Sequence, residues 1–227
     1  MPTILISGAS RGLGLEFARQ YAGAGWRVHA ACRDPDKATA LRAVEGDVVL
    51  HRLEVTEKAS LDELALSLNG GALDLLIANA GVSGPRSMTA ELVDRDSWLE
   101  TLAVNTIAPL ALAGALHRNL ERGQQKKVVA ISSRLGSIAC NDNGSLYVYR
   151  SSKAALNAAW KSLAIDWQAA GMICVVLHPG WVATDMGGPS ADLQPPKSVA
   201  GMRKVIDGLT PASNGHFFSY DGAELPW

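Results

Sequence analysis

Short strand-like segments alternate with longer helical stretches along the chain, and this alternation constrains the fold more than any other feature. Strands joined by helical connections pair in parallel and need helices on both faces of the sheet. The sequence therefore predicts a single α/β domain, 1–227, with a doubly wound parallel sheet whose ligands lie beyond the carboxyl ends of the strands. The predicted strands are Thr3 to Ser7, Arg27 to Cys32, Val48 to Val55, Leu73 to Ala78, Val128 to Ser132, Cys174 to Leu177 and Gly215 to Ser219.

Helix signals fill the intervals between these strands. Asp34-Pro35 has the pattern of an N-cap followed by proline at the first helical position. Ser60-Leu61-Asp62-Glu63 has the pattern of a capping box that opens the next helix. Further helices are predicted from about Leu13 to Tyr21, Ser97 to Leu120 and Tyr149 to Ala169.

Composition excludes several classes of protein. The chain has 21 basic and 22 acidic side chains, a formal net charge of −1, so we expect no binding to nucleic acid or to a membrane. No uninterrupted apolar run approaches the ~20 residues of a membrane span, and the first residues lack a signal-peptide pattern. The 3 cysteines and 5 histidines have no metal-ligand spacing, so we expect no metal site and a cytoplasmic location.

A glycine-rich turn follows the first predicted strand and precedes a helix. Gly8, Gly12 and Gly14 allow the backbone to turn tightly and to approach a pyrophosphate. The helix that begins there offers unpaired N–H groups and the positive end of its dipole to the anion. The turn, which also contains Ser10, Arg11 and Leu13, predicts a dinucleotide site of the Rossmann fold. The alternative is a tight strand–helix turn that binds no ligand.

Tyr149 and Lys153 are four residues apart in a predicted helix, so the phenol and the ammonium share one face. A nearby cation favours the phenolate and moves the pKa of tyrosine, ordinarily ~10, towards the range in which general acid–base catalysis is efficient. Such a pair also arises by chance, so its position matters. Ser133 lies just past the fifth strand, at the edge where doubly wound sheets bind their ligands.

Asn105 lies inside the long predicted helix, four residues before Pro109. Because proline has no N–H, the Asn105 carbonyl cannot make its usual helical hydrogen bond. A carbonyl freed in a kinked helix can hold a water molecule. The alternative for Asn105 alone is a polar residue in a bent helix.

The glycine spacing resembles that of the short-chain dehydrogenase/reductase family, whose motif is TGxxxGxG, with Ser7 here in place of threonine. Asn79-Ala80-Gly81 resembles the family's NAG motif, which stabilises the sheet beside the cofactor. Glu54-Val55 stands where relatives usually have Asp-Val next to the adenine. The resemblance covers essentially the whole chain and is closest to small carbonyl-reductase-like and C-factor-like members.

The family also has a PGxxxT segment that holds the nicotinamide carboxamide. Pro179-Gly180, with Thr184 four residues after the glycine, resembles it and places Val182 in the same cofactor-binding segment. The Gly- and Pro-rich stretch from Met186 to Pro196 is expected to be a short surface loop, which suggests an open pocket with little selectivity.

The resemblance implies a role for each catalytic candidate. Ser133 would orient the substrate carbonyl, and Tyr149 would be the general acid and base. Lys153 would bind the nicotinamide ribose and lower the pKa of the phenol, and Asn105 would anchor a water relay. Tyr149 and Lys153 are thus expected to contact the cofactor as well.

The interval between Ser133 and Tyr149 is a few residues longer than is usual in the family. Asn141-Asp142-Asn143-Gly144 lies in that interval and is predicted to loop out without moving the site. If the insertion displaces Ser133, then Ser137 is the alternative.

Two arginines favour NADP(H) over NAD. Arg33 follows the second strand, where the adenosine ribose is expected, and Arg11 lies in the glycine turn. Guanidinium groups at these positions suit a 2′-phosphate. Asp34 weakens this inference, and the alternative is two solvated surface arginines.

The predicted reaction is reversible hydride transfer between NADP(H) and a ketone, aldehyde or quinone. A non-catalytic nucleotide-binding protein with a signalling or redox-sensing role is the alternative. A methyltransferase would not need Ser133, Tyr149 and Lys153, and a dehydratase of the extended family usually has an acidic residue where Arg134 follows the serine. An apolar face on the helix after Lys153 indicates core or a subunit contact, and the resemblance implies a homodimer or homotetramer.

Overall fold

The computed structural model describes all 227 residues. It contains one sheet of 7 strands in the order β3-β2-β1-β4-β5-β6-β7, with every neighbouring pair parallel. The doubly wound sheet predicted from the sequence is confirmed, and the strand order changes direction between β1 and β4. The strands are β1 Thr3–Ser7, β2 Arg27–Cys32, β3 Val48–Arg52, β4 Leu75–Ala78, β5 Lys127–Ile131, β6 Ile173–His178 and β7 Phe217–Ser219.

Helices cover both faces of the sheet. One face packs against α1 and α8 around a cluster of 24 buried apolar residues. The other face packs against α3, α5 and α7 around 23 buried apolar residues. The central strands are apolar on both sides because no face of them meets water. The helices are α1 Gly12–Gly23, α2 Thr39–Arg42, α3 Lys58–Ser67, α4 Arg95–Leu102, α5 Ala108–Ala115, α6 His117–Arg122, α7 Tyr147–Asp166 and α8 Pro195–Asp207.

Two predicted helix starts are wrong. Asp34 does not cap a helix: its carboxylate accepts from the backbone N–H of Lys37 and pairs with the Lys37 ammonium, which closes a turn, and α2 begins only at Thr39. Ser60 lies inside α3, which begins at Lys58. The Ser60 hydroxyl instead accepts from the backbone N–H of Glu54 at 2.9 Å, so it holds the chain that leaves β3 rather than the end of a helix.

Helix α8 was not predicted. Proline occupies its first positions, as is common for helices. Val199, Met202 and Ile206 recur at helical spacing and are buried against the sheet. These signals lie just beyond Pro196, where the sequence analysis placed only the end of a loop.

The long predicted helix is interrupted. A π-helical turn, Ala103–Ile107, separates α4 from α5, and Pro109 lies at the start of α5. At Asn105, where the sequence predicted a kinked helix, the structure has a π turn followed by a proline that lacks the N–H for a helical hydrogen bond. By length and composition alone, the stretch Arg95–Ala115 could cross a membrane, a criterion that the core helices of globular proteins also meet.

Candidate active site and adjoining cleft

The glycine turn is pressed against β4 on one side. Gly8 has a φ of +66°, and a Cβ atom built on it would lie 2.9 Å from the Cα atom of Ala80. A Cβ atom on Gly14 would overlap the carbonyl of Gly8. Gly12, at φ +55°, meets only the methyl group of Thr184 at 3.5 Å. Side chains are therefore excluded where the turn meets β4, whereas its other side faces the loop after β6.

Hydrogen bonds from Ser7 and Asn79 fix this contact. The Ser7 hydroxyl accepts from the backbone N–H groups of Asn79 and Ala80, at 3.0 and 3.1 Å. The Asn79 amide donates to the carbonyls of Ser7 and Gly8, at 3.0 and 3.2 Å. Asn79 and Ala80 thus join β4 to the turn, as expected for an NAG motif, and serine suffices at the position where the motif has threonine.

The N-terminus of α1 is free to bind an anion. Arg11 is its N-cap residue, but the side chain makes no capping bond, and no acidic residue lies in the first turn. The N–H groups of Leu13 and Gly14 are therefore not used by a capping side chain. Ser10 is half-buried in the turn itself. These features fit the pyrophosphate of a dinucleotide.

The two arginines expected at a 2′-phosphate differ in their surroundings. Arg11 forms an ion pair with Asp185 at 2.9 Å, across the cleft from the turn to the loop after β6. Arg33 is exposed at the end of β2 and has no hydrogen-bond or ion-pair partner in the protein. Asp34, the residue that weakened the inference, is paired with Lys37. Arg33 can therefore bind a phosphate without losing an existing contact, whereas Arg11 would have to give up its ion pair with Asp185.

Glu54 and Val55 lie beyond the end of β3. The Glu54 carboxylate accepts from the Thr56 hydroxyl at 3.0 Å. Val55 is half-buried and packs against the core on the α3 side of the sheet. The adenine contact expected of Glu54 and Val55 stays a prediction.

Residues 179–194, called the lip below, follow β6 and are tied to α8. The carbonyl of Pro179 accepts from the hydroxyl of Ser198 in α8. Gly180 packs so closely that a Cβ atom there would lie 2.7 Å from the Leu193 side chain. The start of the lip is thus fixed by a helix that the sequence analysis missed.

The lip is also hydrogen-bonded to itself. Val182 pairs with Leu193 in an isolated parallel bridge, and the Trp181 indole donates to the carbonyl of Gly187 at 2.9 Å. The Thr184 hydroxyl accepts from the N–H of Gly187 at 3.2 Å. The stretch predicted as a simple surface loop is therefore a folded segment, with Thr184 facing the glycine turn.

Ser133, Tyr149 and Lys153 converge at the carboxyl edge of β5. Ser133 follows the strand in extended conformation and caps a single 3₁₀ turn, Arg134–Gly136. That turn packs on α7 so closely that a Cβ atom on Gly136 would lie 2.8 Å from Lys153. Tyr149 and Lys153 lie on the same face of α7, and the ammonium is 6.0 Å from the centre of the phenol ring.

The pKa of the Tyr149 phenol is shifted by burial and by two groups to which the sequence analysis did not assign this role. Burial raises the pKa of Tyr149, while the Ser133 hydroxyl and the Arg86 guanidinium both lower it. The Lys153 ammonium donates to the carbonyl of Ile131 at 2.9 Å, and burial lowers its own pKa to about 8. The role of Lys153 in lowering the pKa of the phenol stays a prediction.

Asn105 is completely buried in the π turn, and its side chain is fully engaged. Its amide donates to the carbonyl of Val82 at 2.8 Å and to the hydroxyl of Ser152 at 3.0 Å, and its oxygen accepts from the N–H of Val82 at 2.8 Å. A Cβ atom on Gly81 would lie 3.2 Å from that oxygen and 3.7 Å from the Lys153 nitrogen. Asn105 therefore holds the loop after β4 beside the lysine.

The inserted turn before Tyr149 lies on the surface and leaves the site in place. Asn141 closes it by accepting from the N–H of Gly144 at 3.0 Å. The buried guanidinium of Arg150 donates to the Gly144 carbonyl and to the Asn143 side chain, at 3.0 and 2.7 Å, and so fastens the turn to α7.

Ser137, the alternative to Ser133, is 1% exposed. Its hydroxyl donates to the Trp227 carbonyl at 3.3 Å and accepts from the N–H of Cys140 at 3.1 Å. Because it is buried and already bonded, it is not available to a substrate. Ser133 remains the serine of this site.

Sequence reasoning missed two arginines that shape the site. Arg150 adjoins Tyr149 in the chain, so its position was visible, but its contact with the inserted turn was not. Arg86 lies in the loop that follows Asn79-Ala80-Gly81, five residues after Gly81, but only the fold brings its charge to the phenol.

Comparison with known proteins gives one consistent result. The family model described as short chain dehydrogenase matches residues 2–194. The C-signal protein of Myxococcus xanthus is 47% identical over 157 residues, which are 69% of this chain and 94% of that protein. Among solved structures, the carbonyl reductase Sniffer of D. melanogaster superposes with a TM-score of 0.93 at 34% identity and 100% coverage of both chains. The NADPH-bound carbonyl reductase from chicken fatty liver has a TM-score of 0.91 at 35% identity, covering 100% of this chain and 99% of that one.

Proposed function

The chain belongs to the short-chain dehydrogenase family, and we propose that it is an NADP(H)-dependent carbonyl reductase acting on ketones, aldehydes or quinones. The observation that carries this proposal is the convergence of Ser133, Tyr149 and Lys153 beside a glycine turn that fits a pyrophosphate. We further propose that residues 1–227 act as one dinucleotide-binding and catalytic domain.

The bound cofactor supplies the hydride that is added to the carbonyl carbon. The chain's own residues supply position and a proton. Ser133 donates a hydrogen bond to the carbonyl oxygen and stabilises the negative charge that develops there. Tyr149 transfers its phenolic proton to the same oxygen, so that the product is an alcohol. Alcohol oxidation reverses these steps.

Lys153 and Asn105 support the proton transfer. The lysine is held at 2.9 Å from the Ile131 carbonyl, next to Gly81 and to the Asn105 side chain. In this proposal it binds the nicotinamide ribose and returns a proton to the phenolate. Asn105 fixes the loop after β4 and anchors the water relay that connects the lysine to solvent.

The preference for NADP(H) is supported by Arg33. This guanidinium has no partner in the protein and lies at the end of β2, where it would bind the 2′-phosphate through two N–H groups. The carbonyl reductase from chicken fatty liver, which covers the same fold, has NADPH bound.

A second candidate function follows from the similarity to C-signal. A nucleotide-binding signalling protein would keep the glycine turn and bind the cofactor without turnover. The two are separated by a panel of ketones, aldehydes and quinones assayed with NADPH and with NADH. Oxidation of NADPH by any of them supports the reductase; binding of NADPH with no oxidation by any member favours the signalling role.

We also propose a cytoplasmic homodimer or homotetramer. The three cysteines are free, as in a reducing compartment. The outer face of α7 leaves apolar side chains exposed at Tyr147 and Ile165, 46% and 62% respectively, which a second copy would cover. Analytical ultracentrifugation of the wild-type chain and of Ile165→Lys tests this: a monomer in both rejects it.

A further inference from the structure

Arg86 connects the loop after β4 to the lip, and these two segments are called the walls of the proposed substrate entrance. It lies in the loop between β4 and α4, and its guanidinium donates to the carbonyl of Met186 in the lip, 100 residues later in the chain. The same loop packs on α7 next to Tyr149, since a Cβ atom on Gly84 would lie 3.0 Å from the Val148 side chain. From this loop the Arg86 guanidinium lowers the pKa of the Tyr149 phenol, so Arg86 lies near the group that would protonate a carbonyl substrate.

The charge on Arg86 has no acidic partner. No ion pair in the protein includes Arg86, and the nearest acidic residue on the lip, Asp185, is already paired with Arg11 at 2.9 Å. A guanidinium has five N–H donors, of which the Met186 carbonyl takes one. The remaining donors of this exposed side chain are available to a ligand.

Exposed apolar side chains lie on both of the segments that Arg86 joins. Val82, on the same wall, is 40% exposed, and Trp181 and Met186, on the lip, are 55% and 38% exposed. A single cation framed by exposed apolar side chains matches a molecule with an apolar body and one anionic group. A guanidinium binds a carboxylate through two parallel hydrogen bonds, an arrangement that lysine cannot reproduce.

We propose that Arg86 binds a carboxylate of the substrate, so that the preferred substrates are apolar aldehydes or ketones that carry a carboxylate remote from the reacting carbon. This inference rests on the proposed reductase function. It makes Arg86 a specificity-determining residue for that reaction and gives the entrance the selectivity that the sequence analysis did not expect.

Kinetics with matched substrates test the proposal. The substrates are 3- and 4-carboxybenzaldehyde and their methyl esters, with NADPH as reductant, and the variants are Arg86→Met and Arg86→Lys. Losing the guanidinium also removes its effect on the pKa of Tyr149, which alters turnover of acid and ester alike. The readout is therefore the ratio of kcat/KM for the acid to that for the ester.

We expect the wild-type ratio to exceed one for at least one acid, and to fall by roughly 10- to 100-fold in Arg86→Met, since a charge-assisted hydrogen bond to a ligand is worth about 1.5–3 kcal/mol. Arg86→Lys should fall between the two. The control is Arg95→Met, an exposed arginine on α4 paired only with its neighbour Asp96, which should leave the ratio unchanged. An unchanged ratio in Arg86→Met for both acids overturns the proposal while the reductase function stands.

A binding measurement separates this inference from the function on which it rests. Saturation-transfer NMR compares benzoate with methyl benzoate on the wild-type protein and on Arg86→Met, and it requires no turnover. Benzoate binding that Arg86→Met abolishes supports the carboxylate site even if no aldehyde is reduced. Benzoate binding that persists in the variant, or is absent from the wild type, overturns it.

Discussion

The two sides of the cleft are built differently. On the glycine-turn side, backbone groups and short side chains lie in direct contact: the Ser7 hydroxyl and the Asn79 amide bind main-chain atoms, and Gly8 leaves no space for a methyl group. At the entrance beside Tyr149, long side chains such as those of Arg86 and Trp181 extend into solvent. At Gly8 and Gly14 the first side can be changed only by damaging the fold, whereas the exposed side chains of the second can be replaced without doing so.

The largest expected effect is on turnover, and it comes from a substitution at Tyr149 that leaves the glycine-turn side unchanged. Tyr149→Phe removes the proton donor and keeps the ring, so we expect kcat to fall by at least ~10³-fold. The Kd for NADPH, measured by fluorescence titration, should change by less than about threefold, because the glycine turn is untouched. Comparable losses of turnover and of cofactor affinity would contradict the separation of the two sides.

Gly8→Ala disrupts the glycine-turn side, where the turn contacts Ala80. The added Cβ atom would meet the Ala80 backbone, and the residue would keep a positive φ, so we expect roughly 2–4 kcal/mol less free energy of unfolding, together with a large loss of NADPH affinity. Urea denaturation measures the first and titration the second.

Gly144→Ala is the matched control for that variant. Gly144 has a similar φ of +64°, but nothing lies within 4 Å of its added Cβ atom. Only the backbone strain remains, so the expected loss is about 1 kcal/mol, and cofactor binding should be unchanged. Equal losses in the two alanine variants would show that conformational strain, not the close approach to β4, governs the turn.

Arg33→Ala tests the proposed contact with the 2′-phosphate of NADPH. We expect the Kd for NADPH to rise by about tenfold or more and that for NADH to change by less than about twofold. Arg11→Ala should have a smaller effect on NADPH, because its guanidinium is engaged with Asp185 in an exposed ion pair worth about 1 kcal/mol or less. A uniform loss for both cofactors in Arg33→Ala would contradict the proposed 2′-phosphate contact.

The smallest effect is an acid sensitivity that comes from three histidines in the sheet, His29 in β2, His51 in β3 and His178 in β6. Burial, together with the neighbouring His51 and Arg27, lowers the pKa of His29 to about 4, opposed by Asp47; burial also lowers that of His51. At the end of β6, burial and Arg134 lower the pKa of His178 to about 4, opposed by Asp221. The ordinary value for histidine is 6.5, so between pH 6.5 and 4 the unfolded chain binds more protons than the folded protein.

Stability is therefore expected to be fully present above pH 6.5 and to be lost as the pH falls towards 4. Because these side chains are only half-buried, each should contribute on the order of 1 kcal/mol. Urea denaturation at pH 7 and pH 5 measures the slope for the wild type, the double variant His29→Gln with His51→Gln, and His178→Gln. Each variant should flatten the slope, and an unchanged slope in both contradicts the assignment.

Local patterns predicted the features that depend on neighbours in the chain. The strands were predicted from their apolar runs, and the bend at Asn105 from the proline four residues later. Helix α8 carried the same kind of signal in Val199, Met202 and Ile206, and it was missed because the preceding prolines were attributed to a loop. The false helix start at Asp34 shows the reverse error, since a capping pattern also closes a turn when the chain must pass to the next strand.

The sequence by itself determined the parallel sheet and the glycine turn, because each depends on a short spacing that acts over one turn of helix or one strand end. It also predicted a catalytic set, which stays a prediction. Only the tertiary structure decided which charges meet. It paired Arg11 with Asp185, left Arg33 free, directed Lys153 to the Ile131 carbonyl and brought Arg86 to Tyr149. Electrostatic interactions depend on distance and burial, and both are set by contacts between segments that are far apart in the chain.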